Sequence, residues 1–262
     1  MTWDGPDRLL VDSRGCDRLL RASAFPDVER HYTEWSSSPS PRDPVHDTAF
    51  MASFIVDNNW RARGLMDSLS FWVVSDIFEE SRQGDTPFHG GFGLVNVQGL
   101  KKASYHGYWF LSRLGDEVIT EGDSYVVTRR SEGSMAILMW NYCHYRDDTN
   151  DSRLMAAAKP GEIYDLFAVS PSREFQLSVD GVGQGARLQI TRFNRQHGSV
   201  YDAWVAMGAP QHILPADLEV LRRQMELDVA VERVTTPDGC LNWATTVQPF
   251  GVTLLEISSA GC

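Results

Sequence analysis

Apolar and polar positions follow two different rhythms along this chain. Residues 7–24 set Leu9, Leu10, Leu19 and Leu20 among charges, which predicts one amphipathic helix, breakable at Gly15 and stopped near Pro26. "VERHYTEW" then reads as a strand ending at Glu34 or Trp35, and "SSSPSPRDP" as a loop. "VHDTAFMASFIVDNNWRARGLM" predicts a helix with Ala49, Ala52, Phe54, Ile55 and Val56 on its apolar face and Asp47–Thr48 as cap residues. "LSFWVVSDIF", Leu69–Phe78, is a near-continuous apolar run, the pattern of a strand buried on both faces in a parallel sheet. A long Gly-rich loop follows, then the helix "LKKASYHGYWFLSRLG" with Gly115 as its stop. Strands alternating with helices predict parallel βα units.

Beyond Gly115 the pattern changes. "SYVVTRR", "MAILMWNY", "IYDLFAV", "EFQLSVDG", "ARLQITRFN" and "VYDAWVAM" are short runs of alternating or β-branched character separated by turns. One helix, "LPADLEVLRRQMEL", precedes "VAVERVT", "CLNWATTV" and "VTLLEIS". Short strands at a spacing of roughly 8–12 residues predict a β-sandwich. The chain therefore divides, by expectation, into an α/β unit over residues 1–118 and an all-β unit over 119–262.

The 262 residues carry a formal charge of −11, which argues against nucleic acid or an anionic membrane as partner, since both need a basic face. No apolar run approaches the ~18 residues of a membrane span. The N-terminal residues "MTWDGPDRLLVDSRGC" have no apolar core of a signal peptide, which points to the cytoplasm. Cys16, Cys143, Cys240 and Cys262 are too far apart for a zinc or redox spacing, and the His residues show no ligand pattern, so neither metal nor cofactor is expected. Aromatic residues are somewhat abundant, at 11%; most belong to cores, but at a polar surface their rings suit the C–H faces of sugars.

Parallel βα units present functional groups at the C-terminal ends of their strands. Glu34 stands at one such end; Trp72, followed by Asp76, Glu79 and Glu80, stands at the other. Carboxylates facing aromatic walls are what glycoside hydrolysis needs. A surface salt bridge explains Glu34 equally well, a solvated loop start explains Glu79 and Glu80, and core packing explains Trp72. "FHGGFG", Phe88–Gly93, is not a dinucleotide fingerprint: it does not open a helix directly, and Asn96 stands where the third Gly belongs. It reads instead as a loop whose backbone approaches something closely.

The strings "YTEWSSSPSPRDPVHDTAFMASFIV", "FWVVSDIFEE", "FHGGFGLVNVQGLKKASYHGYWFLSRLG", "MAILMWNY" and "YDAWVAMG", in this order, closely resemble glycoside hydrolase family 39, which contains β-xylosidases and α-L-iduronidases. The resemblance implies a (β/α)8 TIM barrel with an appended β-sandwich. It implies that Glu34 is the nucleophile of a retaining mechanism, that Trp72 lines the sugar subsite, that Glu79 and Glu80 bind sugar hydroxyls, and that His89 lies on the loop beside them. Two carboxylates in that subsite favour a neutral β-xyloside over a uronate.

The chain departs from the family pattern in its extent. A full barrel takes about 250 residues, whereas about 115 precede the all-β part. The matched units are the last two of the barrel. The family's general acid/base, in an Asn-Glu-Pro context, has no counterpart, because the sequence holds no Asn-Glu dipeptide. The expectation is a partial barrel joined to a sandwich, completed by a missing N-terminal barrel half or by a homo-oligomer. The alternative is an inactive remnant, a non-catalytic sugar-binding or interaction module.

Overall fold

The computed structural model describes residues 5–78, 84–149, 157–168, 170–236 and 238–258. It opens with helix α1 (Arg8–Arg21), strand β1 (His31–Trp35), a 3-10 turn at Pro44–Asp47, helix α2 (Phe50–Ala62), strand β2 (Ser68–Phe71) and helix α3 (Ala103–Leu111). Gly15 does not interrupt α1. Strands β1 and β2 form a two-stranded parallel sheet in which His31 faces Ser68 and Trp35 faces Phe71. Helix α2 returns the chain between them, as a parallel connection requires.

The strand expected over Leu69–Phe78 is shorter than its apolar run suggests. It ends at Phe71, and Val74, Ile77 and Phe78 are exposed. The backbone beyond it pairs with the Gly-rich loop instead: Val73 donates to the Phe92 carbonyl, Leu94 to Val73, and Asp76 to Val95. An apolar run records burial propensity but not which neighbour takes the backbone hydrogen bonds.

The second part contains β3 (Glu117–Gly122), β4 (Tyr125–Arg129), β5 (Met135–Trp140), β6 (Arg173–Asp180), β7 (Ala186–Phe193), helices α4 (Val200–Ala206) and α5 (Pro215–Gln224), and β8 (Asp228–Val234), β9 (Cys240–Val247) and β10 (Val252–Ser258). Two predicted strands are absent. "VYDAWVAM" is α4, started by the Ser199 side chain, which accepts from the Asp202 amide. "IYDLFAV" lies largely in a 3-10 turn, Pro160–Leu166, whose leading Pro fixes a helical φ.

An antiparallel sheet of six strands runs β3-β4-β5-β10-β7-β8, and β6-β9 form a separate antiparallel pair. Alternation along the central strands divides the core in two. Ile137, Met139, Ile190 and Leu255 face Leu241 and Val247 of β9 and the half-buried Phe175 and Leu177 of β6. Leu138, Trp140, Phe193 and Leu254 face the other way, onto Phe50, Ile55 and Val56 of α2, Phe110 of α3 and Trp204 of α4. The large sheet is thus buried on both faces, which is why "MAILMW" and "VTLLEI" read as continuous apolar runs. This second cluster crosses the sequence boundary at residue 118, so both parts share one core. Among the described residues no helix is long and apolar enough to cross a membrane.

Candidate active site

The parallel register sets the geometry at the strand ends. Trp35 pairs with Phe71, and the Trp72 amide donates to the Trp35 carbonyl at 3.0 Å. Glu34 precedes this pair and Trp72 follows it, so both stand at the C-terminal edge of the parallel sheet. Trp35 itself turns into the helix layer, where its ring stacks on Phe54 at 5.4 Å and its Nε1–H donates to the Tyr108 hydroxyl at 3.2 Å. Strand alternation then turns the neighbouring Glu34 the other way, and it is exposed.

Glu34 and Trp72 line one open cleft of about 720 Å³, with Ser36 and Ser37 of the loop after β1, Phe50 and Phe54 of α2, Phe92, and Tyr142, His144 and Tyr145 from beyond β5. That volume lies within the roughly 300–1,000 Å³ of small-molecule sites, and an aromatic wall with a few polar groups is their usual lining. The start of α1 closes one end with Arg8 and Asp12. His89 is not among the lining residues; its Nδ1–H donates to the Thr86 carbonyl at 3.0 Å. Glu79 and Glu80 lie outside the described residues.

Behind the strand ends is a charge cluster that the sequence reading did not assemble. Lys102, at the N-cap of α3, is fully buried. Its ammonium meets Asp47 Oδ1 at 2.5 Å, Asp76 Oδ2 at 3.3 Å and the Gly91 carbonyl at 2.7 Å. Asp47 accepts from the Gly90 amide at 2.7 Å, and Asp76 from the Gly93 amide at 2.6 Å. Burial opposes the Lys102 charge, but Asp47 and Asp76 more than offset this and raise its pKa. Burial raises the pKa of Asp76 despite the neighbouring ammonium. His46 is held neutral by burial; its ring nitrogens meet the Gly90 carbonyl at 3.0 Å and Ser38 Oγ at 3.1 Å.

This cluster gives "FHGGFG" its reason. A Cβ on Gly93 would lie 2.3 Å from the Asp76 amide nitrogen, and one on Gly90, where φ is +77°, 2.5 Å from the Asp43 carbonyl. The close approach is to the protein's own backbone, and it clamps the loop against the strand ends. Asp47, expected as a helix cap, serves this cluster instead, and the N-cap of α2 is Ala49, with no side-chain cap bond. One sequence signal, not used above, bears on this cluster: a Lys at a helix N-terminus opposes the dipole and invites the question of what pairs with it.

A model of the family described as "Glycosyl hydrolases family 39" matches residues 16–242. The chain belongs to glycoside hydrolase family 39. A β-xylosidase of Geobacillus stearothermophilus is 31% identical over 252 residues, covering 96% of this chain and 46% of that protein. The crystal structure of the family 39 enzyme from Xanthomonas axonopodis pv. citri superposes with a TM-score of 0.83 at 26% identity, covering 98% of this chain and 50% of that one. A monomeric β-xylosidase from Caulobacter crescentus CB15 gives 0.80 at 28% identity, again with half of its chain covered. The chain thus spans about half the length of the curated relatives it matches. Family membership establishes a glycoside hydrolase relationship.

Proposed function

We propose that this chain carries the nucleophile side of a retaining β-xylosidase. The observation behind the reading is that Glu34, at the C-terminal end of β1, lines the same cleft as Trp72 at the end of β2. In this account residues 1–118 are the last two units of a (β/α)8 barrel and residues 119–262 form a β-sandwich. The Glu34 carboxylate attacks the anomeric carbon of a β-xyloside bound against Trp72, forming a glycosyl ester and expelling the aglycone oxygen. A second carboxyl about 5–5.5 Å away protonates that oxygen, then as its conjugate base activates the water that releases xylose. No residue of this chain matches that second carboxyl, so it belongs to the barrel units that its relatives have and the matched half lacks. Glu79 and Glu80 bind sugar hydroxyls in this reading and His89 supports the loop beside them.

The other reading, a sugar-binding module without turnover, draws on the missing Asn-Glu dipeptide. Hydrolysis of 4-nitrophenyl β-xyloside separates the two. The expected result is turnover that rises with added azide or formate, small nucleophiles that need no base, and that vanishes in Glu34→Gln. Sugar binding without turnover under every condition selects the binding module.

A further inference from the structure

The register of the parallel pair contains one irregularity, and Glu34 sits in it. Tyr32 pairs with Leu69 and Trp35 with Phe71, so three steps along β1 face two along β2. An extra residue in one strand is a bulge, which re-aims the side chains around it. Strict alternation would put Tyr32 and Glu34 on one face. Tyr32 faces the helices: it is half-buried, with its hydroxyl beside Ser13 and Cys16 of α1. Without the extra residue Glu34 would follow it into the helix layer. With it, Tyr32 and Trp35 both turn to the helices, and Glu34 is left facing the cleft.

Trp35 holds this arrangement. Its ring lies between Phe54 of α2, stacked at 5.4 Å, and Phe71 of β2, edge-on at 6.0 Å. Its one side-chain donor, Nε1–H, is taken by the Tyr108 hydroxyl of α3 at 3.2 Å. The Tyr108 ring meets Phe71 edge-on at 5.8 Å, and its hydroxyl has a further partner in the Asn59 side chain of α2. Asn59 is itself tied to the Ile55 carbonyl at 2.9 Å. Side chains of α2 and α3 thus reach Glu34 through its neighbour in the chain.

We propose that Tyr108 is a positioning residue for Glu34: by holding the Trp35 indole in the helix layer, its hydroxyl fixes the bulge that turns the Glu34 carboxylate to the cleft. Tyr108 does not line the cleft and acts only through Trp35. The assignment rests on the reading of Glu34 as nucleophile. Were the hydroxyl no more than a partner for a buried N–H, its loss would lower stability and leave the chemistry alone.

The test follows dinitrophenolate release from a dinitrophenyl 2-deoxy-2-fluoro-β-xyloside by the whole chain, at a temperature where circular dichroism shows each variant folded. Tyr108→Phe keeps the ring contacts and removes only the hydroxyl. The expected result is a maximal rate constant lowered about ten- to hundredfold, with the half-saturating concentration within about twofold of native, the sign of a misaimed nucleophile rather than of lost binding. Trp35→Phe lowers the same rate constant, and the double variant falls no further than the slower single one, because both remove one bond. Asn59→Ala gives a smaller loss of the same kind, and it decides the question if Tyr108→Phe does not fold. A native rate constant in the variants, a loss confined to affinity, or additive losses in the double variant overturns the positioning role and leaves the reading of Glu34 standing. No release by the native chain overturns both.

Discussion

The positions of Glu34 and Trp72 beside strand ends were legible because each lies at the edge of an apolar run in a long, specific string. Lys102 was not, because its carboxylate partners lie far away in sequence, in segments read as a cap and a strand. His106 is a further residue that only the fold explains. It is buried in α3, its ring tilted against Phe193 at 5.4 Å, and burial lowers its pKa to about 4. The unfolded chain binds that proton below pH 6.5, whereas the folded chain refuses it until about 4. Its neutral form therefore costs stability progressively as pH falls from 6.5 towards 4, by roughly 3 kcal/mol over that window. Denaturant titrations of the native chain and His106→Gln check this. Their difference in unfolding free energy shifts by that amount between pH 7 and pH 4; a constant difference contradicts it.

At the level of elements, most of the helices and strands followed their periodicity, and the misreadings have separate causes. β2 stops early because the Gly-rich loop takes over its backbone partners, and α4 forms where an apolar heptapeptide looked strand-like. In the first place tertiary partners overrode local pattern; in the second a local cap, the Ser199 side chain, starts a helix. The Lys102 cluster holds three of these elements together: the turn before α2, the exit of β2, and the Gly-rich loop. Lys102→Met leaves Asp47 and Asp76 buried without their cation, and loss of one member of such a pair costs about 3–5 kcal/mol. Adding Asp47→Asn and Asp76→Asn removes the unpaired charges and recovers part of the loss. Chemical denaturation of the two variants measures both effects; equal stability of the single and triple variants refutes the electrostatic account.

On the scale of the whole molecule, the sequence marks a change of pattern near residue 118 but cannot show whether that change is also a break in the core. It is not: Phe50, Ile55 and Phe110 pack with Leu138, Trp140, Tyr201 and Leu254 in one cluster. A chain with one shared core unfolds as a unit. Calorimetry of residues 1–262 is expected to give a single transition, with coincident loss of tryptophan fluorescence and far-ultraviolet dichroism. Two separated transitions would show independent units instead. The same shared core brings Tyr142–Tyr145 to the mouth of the parallel sheet, a juxtaposition no linear motif records.

The central claim is that Glu34 is a nucleophile towards a xyloside. It is tested most directly with a 2-deoxy-2-fluoro-β-xyloside bearing a dinitrophenolate leaving group. That leaving group departs without protonation, so no acid/base is needed for the first step, and the fluorine slows release of the ester. Intact mass and peptide mapping are expected to show one fluoroxylosyl group on the peptide containing Glu34, and none in Glu34→Gln. An unmodified chain, or a label on any other residue, contradicts the account.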